Sequence, residues 1–207
     1  HLSLPPRGNR PPARVATARR RQEEQAGVTI PNLITILRFL LVPAVVATLL
    51  SGDVGWALVL FVVAGLSDAA DGFIARAFDQ RSELGAYLDP MADKLLLVSV
   101  FVVLGFMGEL PVWLVVVAVS RDALIVAAVV LSTLIGKPVE MKPLFVSKAN
   151  TAVQIVLVIA VLAELAFAPA LSQAFGTARP VLVAVSGSLT VLSTAAYLVQ
   201  WLRHMGR

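Results

Sequence analysis

Four aspartates stand as two spaced pairs in a chain that is otherwise strongly apolar. Asp68 and Asp71 are three residues apart, and Asp89 and Asp93 are four residues apart. Residues at these spacings share one face of a helix. If two such helices pack side by side, the carboxylates meet in one gap, where four like charges in a low dielectric cannot all stay ionised alone. Divalent ions relieve this repulsion, and oxygen ligands favour hard cations such as Mg²⁺ or Mn²⁺.

Four carboxylates are enough to hold two metal ions, and this suggests phosphoryl transfer. A two-metal site stabilises both the attacking and the leaving oxygen in that reaction. Two other interpretations stay open. Acidic residues at helix ends near the membrane surface are commonly solvated, and intramembrane carboxylates also occur in cation or proton pathways. A pathway is disfavoured because the four aspartates cluster towards one membrane face, while Glu164 looks isolated near the far end of its span.

The segments around the aspartates are apolar runs of membrane-spanning length. The 207 residues are 58% hydrophobic and only 14% charged, whereas a soluble domain carries roughly 25% charged residues. A helix that crosses a bilayer needs about 20 apolar residues. The sequence therefore predicts an all-α integral membrane protein with six transmembrane helices. The predicted spans are Ile30–Leu50, Val54–Ala77, Gly85–Met107, Val112–Ile135, Leu144–Phe167 and Pro180–Leu202.

The N-terminal region differs in composition from the rest of the chain. Residues 1–27 are rich in Pro, Arg and Ala and lack the apolar run of a secretory signal. We expect a basic juxtamembrane segment there, with a surface helix on anionic lipid over residues 13–25. A disordered tail and an Arg-rich transit peptide are the alternatives. Residues 28–207 form the predicted membrane domain, and the absence of cysteine excludes thiolate metal sites.

The distribution of basic residues predicts the orientation in the membrane. Lys and Arg occur in the N-terminal tail, after the second and fourth spans and at the C-terminus, while the other connectors contain only Arg179. By the positive-inside rule, both termini and the aspartates face the cytoplasm of a bacterial inner membrane. In a mitochondrial inner membrane they would face the matrix instead. We therefore expect a polar cavity that faces the cytoplasm.

The aspartates belong to a longer pattern that resembles in full the signature of the CDP-alcohol phosphotransferases. The pattern reads Asp68-x-x-Asp71-Gly72-x-x-Ala75-Arg76, eight further residues, and Gly85-x-x-x-Asp89-x-x-x-Asp93. The resemblance implies six membrane helices, a cytoplasm-facing cavity, two divalent metal ions and a homodimer. The reaction that it implies is attack of an acceptor hydroxyl on the β-phosphorus of a CDP-linked lipid, with release of CMP.

The resemblance also assigns roles to individual residues. All four aspartates are expected to be metal ligands, and Asp93 is also the expected general base for the acceptor hydroxyl. Gly72 matches a position where the backbone meets the nucleotide, which only glycine allows at such close range. Arg76 is expected to pair with the diphosphate through its fork of donors. The other residues assigned to the CDP-lipid are Asn32, Thr35, Ser82 and Gly85.

A polar stripe follows one side of the first predicted span. Asn32, Thr35 and Arg38 lie at positions i, i+3 and i+6. One explanation is that the first two cap the helix and that Arg38 extends to the membrane surface. The same stripe occurs in family members that make glycerophospholipids. This resemblance favours contact with the nucleotide and with phosphate, including the acceptor phosphate for Arg38.

The later spans carry the information about the acceptor. Arg121 lies inside the fourth span, where an unpaired charge is expensive. Because adjacent helical residues face different directions, pairing with Asp122 alone is disfavoured. We expect Arg121 to point into the cavity towards an anion, and Asp122 to have another partner. Lys142 and Lys148 are either interface anchors or contacts to a phosphate-bearing acceptor. The polar residues that follow Lys148 on the fifth span are Asn150, Thr151 and Gln154.

Several segments together resemble the cardiolipin synthases of the mitochondrial, CDP-alcohol type. They are IPNLITILR, DGFIAR, QRSELGAYLDPMADKLL, SRDALIVAAVV and MKPLFVSKANTAVQIVLV. This resemblance implies transfer of a phosphatidyl group from CDP-diacylglycerol to phosphatidylglycerol, with lipid substrates and no nucleic acid. Phosphatidylglycerophosphate synthases, which use glycerol 3-phosphate, share the core motif and are the nearer alternative. A cation transporter is the alternative of a different class.

Overall fold

The computed structural model describes residues 30–78, 83–135, 145–167 and 172–205. Within these ranges every regular element is an α-helix and no strand occurs. The helices are α1 (Ile30–Leu50), α2 (Val54–Phe78), α3 (Glu83–Phe106), α4 (Val112–Leu134), α5 (Phe145–Phe167) and α6 (Ser172–Met205). The predicted all-helical class is confirmed, with six helices in the described ranges. The basic N-terminal segment, residues 1–27, lies outside the described residues.

All six predicted spans agree closely with the structure, although the helix that contains the last span begins before it. Helix α6 begins at Ser172 rather than at Pro180, which lies inside the helix. An interior proline removes one backbone hydrogen bond, whereas proline in the first turn is well tolerated. The residues before Pro180 are also too polar to predict a membrane span. Both features favour a start near Pro180 in the sequence, and they locate the membrane span, Ala178–Arg203, rather than the start of the longer helix.

The described helices have the length and surface of membrane-spanning segments. Three are long and apolar enough to cross a bilayer, namely Val112–Ser132, Phe145–Phe167 and Ala178–Arg203. Shorter apolar segments occur in the other three helices. Large apolar side chains such as Phe106, Leu134 and Phe145 are strongly exposed. On a soluble protein such surfaces would be aggregation-prone, whereas in a bilayer they face lipid, so the chain is an integral membrane protein.

The helices pack in two groups that share one core. Helix α1 packs against both α2 and α3, and α6 packs against both α4 and α5. The groups join where α2 contacts α5 and where α3 contacts α4 and α5, while α2 and α3 touch only sparsely among the described residues. The buried core where these helices meet includes Val45, Phe61, Val100, Leu114 and Val158. Inside a membrane such contacts are stabilised by van der Waals packing.

Two tight turns use glycines with left-handed backbone conformations. Gly52, between α1 and α2, has φ of 84°, and Gly108, at the end of α3, has φ of 80°. Only glycine adopts this conformation without a steric cost. After α3 the N–H of Glu109 donates to the carbonyl of Leu104 at 2.9 Å, which caps the helix. The short turns make α1 and α2, and also α3 and α4, antiparallel neighbours.

Glycine also permits close packing between helices. A Cβ atom on Gly105 of α3 would lie 2.7 Å from Cγ2 of Val115 on α4. On α6, a Cβ atom at Gly187 would lie 2.6 Å from the ring of Trp113. Small residues at such points let helix backbones approach closely in membranes. Helix α4 is therefore fitted tightly against both α3 and α6.

Arg179 of α6 joins three elements at the end of the bundle that carries the α3–α4 turn. Its Nη2 donates to the Glu109 carboxylate at 2.8 Å and to the Glu109 carbonyl, and its Nη1 donates to Glu164 of α5 at 3.4 Å. We call these three residues the Arg179 clamp. The expectation that Glu164 is isolated is wrong, because its partner comes from a helix whose first turns lie before the predicted span.

Candidate active site

All four aspartates of the signature lie on helices. Asp68 and Asp71 are in the C-terminal part of α2, and Asp89 and Asp93 are in the N-terminal half of α3. Helical spacings of three and four residues place each pair on one face, as expected. Their side chains lie outside the described part of the structure. The meeting of the two pairs around metal ions therefore stays a prediction.

For most of the other predicted site residues the structure describes only the backbone. These residues, which all lie within α1, α2 or α3, are Asn32, Thr35, Arg38, Gly72, Arg76 and Gly85. Ser82 and Lys142 lie outside the described residues altogether. Side chains are described for Arg121 and Lys148, so these two can be placed in detail.

Arg121 is 4% exposed and reaches from α4 to two other helices. Its Nη1 donates to Oδ1 of Asp122 at 2.5 Å, and its Nη2 donates to Ser193 of α6 at 3.1 Å and to Ser147 of α5. The guanidinium carbon lies 5.7 Å from the centre of the Tyr197 ring, within cation–π range. Nε has no hydrogen-bond partner among the described residues. The charge is therefore paired, while Nε is left without a described acceptor.

The contact between Arg121 and Asp122 contradicts the expectation from the sequence. Consecutive helical positions differ by about 100° around the axis, but the long arginine side chain bridges that angle. Asp122 also accepts a hydrogen bond from Nζ of Lys94 on α3 at 3.4 Å, so its expected second partner is confirmed. We call Lys94, Asp122 and Arg121 the charged trio. It links α3 to α4 and, through the serine contacts of Arg121, to α5 and α6.

A cavity of about 190 Å³ lies beside the charged trio. Its lining comes from α2, α3, α4 and α5, and its polar part consists of Lys94, Arg121, Asp122, Thr151 and Gln154. Lys94 directly follows Asp93, so the cavity begins next to the expected general base. Two cations and one carboxylate leave a formal charge of +1 on this wall. An anionic group with nearby hydroxyls matches this lining.

An apolar groove of about 230 Å³ lies on another side of Arg121, between α4 and α6. Its walls include Leu124, Ile125, Leu131 and Tyr197, and almost all of its lining is apolar. Arg121 borders both this groove and the charged cavity. The guanidinium therefore stands between a compartment suited to phosphate and a compartment suited to an acyl chain.

Comparison with known proteins decides the family. Residues 28–199 match the model of the CDP-alcohol phosphatidyltransferases. The chain belongs to this family. It is 36% identical to the CMP-forming cardiolipin synthase of Homo sapiens over 195 residues, which cover 86% of this chain and 62% of that protein. It is 35% identical to the Streptomyces coelicolor enzyme of the same name over 133 residues, 61% of this chain and 60% of that protein.

A third similar protein is the putative cardiolipin synthase of Mycobacterium tuberculosis strain H37Rv. It is 44% identical over 99 residues, which cover 47% of each chain. The chain thus spans less than two thirds of the length of these three relatives. The family match begins at residue 28, where the predicted membrane domain begins.

Lys148, one of the predicted acceptor contacts, does not line the charged cavity. Its side chain is exposed in the first turn of α5, and no described carboxylate lies within ion-pair distance of it. Thr151 and Gln154, further along the same helix, do line the cavity. The polar stretch of α5 is thus divided between the surface and the cavity, and Lys148 lies on the surface side.

The prediction from the sequence missed Lys94 as a site residue, whereas it placed Gln154 with Asn150 and Thr151 in a polar entrance that a phosphate-bearing acceptor would explain. Lys94 follows the last aspartate of the family signature and precedes an apolar run, where a lysine is costly unless it is paired. Gln154 is three residues after Thr151, on the same helical face. Both features are visible in the sequence. The cavity that these residues line, however, is formed by four helices, and the sequence does not show how those helices pack.

Proposed function

We propose that this chain is a membrane enzyme that transfers a phosphatidyl group from CDP-diacylglycerol to phosphatidylglycerol, giving cardiolipin and CMP. Membership of the CDP-alcohol phosphatidyltransferases supports the donor and the reaction type. The observation that carries the choice of acceptor is the position of Arg121 between a charged cavity and an apolar groove. A phospholipid acceptor needs both compartments, whereas glycerol 3-phosphate needs only the first.

The four aspartates fit a pair of divalent cations, Mg²⁺ or Mn²⁺. Their donor atoms are all carboxylate oxygens, which suit hard cations, and they stand at helical positions three and four residues apart. Two divalent ions also balance the four negative charges at a site with apolar flanks. When bound, the metals would stabilise negative charge on the attacking and leaving oxygens.

In this proposal, different residues of the chain act on the donor and on the acceptor. Asp93 accepts the proton of the acceptor hydroxyl, whose oxygen bonds to the β-phosphorus of CDP-diacylglycerol. The bond from that phosphorus to the CMP oxygen breaks, and CMP leaves with the electron pair. Lys94 and Arg121 hold the acceptor phosphate, while Asp122 keeps the two cations in place. Arg76 and Gly72 are assigned to the diphosphate of the donor.

The proposal includes a homodimer in a bacterial inner membrane, with the aspartates on the cytoplasmic side. The mitochondrial inner membrane is the alternative location. The excess of Lys and Arg in the N-terminal tail and in the aspartate-side connectors supports this orientation. Similar proteins occur in both a bacterium and an animal, which is consistent with either membrane.

The decisive experiment compares acceptors. The purified full chain is supplied with CDP-diacylglycerol and Mg²⁺ or Mn²⁺, and CMP release is measured with phosphatidylglycerol, with glycerol 3-phosphate, and with neither. We expect release with phosphatidylglycerol, and cardiolipin as the lipid product. Release with glycerol 3-phosphate but none with phosphatidylglycerol would overturn the acceptor. No release with either acceptor, together with divalent-cation flux across liposomes, would overturn the enzyme assignment.

A further inference from the structure

A polar network is buried between α5 and α6 in an otherwise apolar region. Asn150 and Thr190 are fully buried and Gln154 is 6% exposed. The hydroxyl of Thr190 lies 2.7 Å from the carbonyl of Ser186 and 2.9 Å from Oδ1 of Asn150, both of which accept from it. Nε2 of Gln154 donates to the same hydroxyl oxygen at 3.4 Å. Polar side chains inside a membrane bundle require such partners.

The network fixes the orientation of the Gln154 amide. A threonine hydroxyl has a single hydrogen to donate, and here that hydrogen is directed to Ser186 and Asn150. The oxygen of Thr190 can therefore only accept from Gln154, so the amide nitrogen of Gln154 is turned towards Thr190. The carbonyl Oε1 is the opposite end of the amide. No described residue donates a hydrogen bond to it.

Gln154 also lines the charged cavity, beside Lys94, Arg121 and Asp122. The lining thus combines cations that suit a phosphate with the Gln154 amide, whose carbonyl end can accept from an O–H group. A glycerol headgroup presents this combination, because it carries a phosphate, a terminal hydroxyl that reacts, and a second hydroxyl on the neighbouring carbon. The terminal hydroxyl must reach Asp93, which leaves the second hydroxyl without an assigned partner.

We propose that Gln154 determines specificity for acceptors with this second hydroxyl, which donates a hydrogen bond to Oε1. The inference rests on the proposed function and deepens it. An acceptor with a hydrogen in place of the second hydroxyl cannot donate to Oε1, and a site built for a hydrogen bond discriminates against such an analogue. Thr190 is a positioning residue in this scheme, because it touches Gln154 and orients its amide.

The test uses two lipids that differ in one hydroxyl. They are phosphatidylglycerol and phosphatidyl-1,3-propanediol, which keeps the reacting terminal hydroxyl and lacks the second. The value of kcat/KM for CMP release is measured for each with the full chain and CDP-diacylglycerol. We expect the unaltered protein to prefer phosphatidylglycerol by about tenfold, the effect of one hydrogen bond. A preference near one in the unaltered protein overturns the proposal, whatever the variants do.

Variants then assign the preference to Gln154. In Gln154→Met the preference should fall to about one, chiefly through loss of activity with phosphatidylglycerol. Thr190→Val should also lower the preference for phosphatidylglycerol, because the Gln154 amide is then no longer oriented. Thr48→Val is the matched control, since its hydroxyl donates only to carbonyls of its own helix α1, at 2.9 and 3.0 Å. It should keep the full preference.

The outcomes distinguish a failure of the role proposed for Gln154 from a failure of the proposed function. A tenfold preference that persists in Gln154→Met overturns the role of Gln154 and leaves the proposed function standing. Equal losses of preference in Thr190→Val and Thr48→Val overturn the positioning role of Thr190. An unaltered protein that releases no CMP with either lipid overturns the proposed function, and this inference with it.

Discussion

Two consecutive residues of α3, Asp93 and Lys94, act on different groups of the acceptor in the proposed reaction. Asp93 belongs to the family signature and, in that reaction, takes the proton of the acceptor hydroxyl. Lys94 lines the cavity and donates to Asp122 at 3.4 Å. Because consecutive helical positions are about 100° apart around the axis, one turn of α3 can carry both functions. The reacting hydroxyl and the acceptor phosphate are thereby held by neighbouring positions of one rigid helix.

Asp93→Asn should abolish turnover without unfolding the protein. The amide has the size of the carboxylate but cannot accept the proton, and general-base catalysis contributes about 10²- to 10⁴-fold. CMP release at saturating phosphatidylglycerol is the measurement. Asp53→Asn, in the exposed turn between α1 and α2, is the matched control and should keep full activity. A fully active Asp93→Asn variant would show that another group is the base.

Arg121→Lys should raise the KM for the acceptor about tenfold. An ammonium group cannot reproduce the fork that contacts Asp122, Ser147 and Ser193 together. The KM for CDP-diacylglycerol should change little, because its diphosphate is assigned to Arg76. Arg203→Lys, at the exposed end of α6, is the control for the effect of replacing an arginine by lysine outside the cavity. An unchanged acceptor KM in Arg121→Lys would contradict the placement of the phosphate.

At the scale of helices, different pairs are held together by different chemistry. Helices α5 and α6 share the buried polar network around Thr190, whereas α3 and α4 meet closely at Gly105. Neither contact relies on the hydrophobic effect, which is weak between helices that already lie in lipid. The stability of each pair should therefore respond to local geometry more than to apolar area.

Gly105→Ala should destabilise the protein by about 1–3 kcal/mol. The added methyl would lie 2.7 Å from Cγ2 of Val115, so either the Val115 side chain or one of the two helices must shift. Gly55→Ala is the matched control, because a Cβ atom on Gly55 of α2 meets nothing within 4 Å. That change should be neutral or stabilising by up to about 1 kcal/mol. Thermal unfolding in detergent measures both, and equal stabilities would show that α3 and α4 tolerate a wider spacing.

Helix bounds were largely predictable from the sequence, whereas helix partners were not. Bilayer thickness sets the length of an apolar run, so all six spans could be predicted directly. The extension of α6 back to Ser172 was not predicted, because Pro180 resembles a first-turn residue. The signature spacing identified the aspartates, and the cost of burying a charge identified Arg121. Ser193, which binds Arg121, is 72 residues further along the chain, and only the packing of α4 against α6 brings them together.

At the scale of the whole molecule, ionic contacts lie at two levels of the bundle. The charged trio lies beside the proposed active site, and the Arg179 clamp lies at the end with the α3–α4 turn. The clamp residues are between 19 and 27% exposed. Solvent screens them only in part, so their pairing should matter more than that of a surface ion pair.

Arg179→Gln should lower the free energy of unfolding by about 1–3 kcal/mol, because Glu109 and Glu164 both lose their partner. Activity per folded molecule, measured well below the unfolding temperature, should stay unchanged, since the clamp is remote from the cavity. Arg203→Gln, exposed on the same helix, should leave the unfolding temperature unaltered. An Arg179→Gln variant as stable as its parent would show that the clamp contributes nothing to cohesion.

The Arg179 clamp also restricts helix separation at its own end of the bundle. It ties α5, α6 and the α3–α4 turn together at one end, while Asp93 lies about 20 Å away along α3. In the proposed reaction two lipids pass between helices near Asp93, and a rotation of the helices about the clamped end would open a gap there. A rotation of about 10° then opens about 4 Å at Asp93, roughly the width of one acyl chain, and almost nothing at Arg179. The gap is thus a wedge, widest where the lipids react.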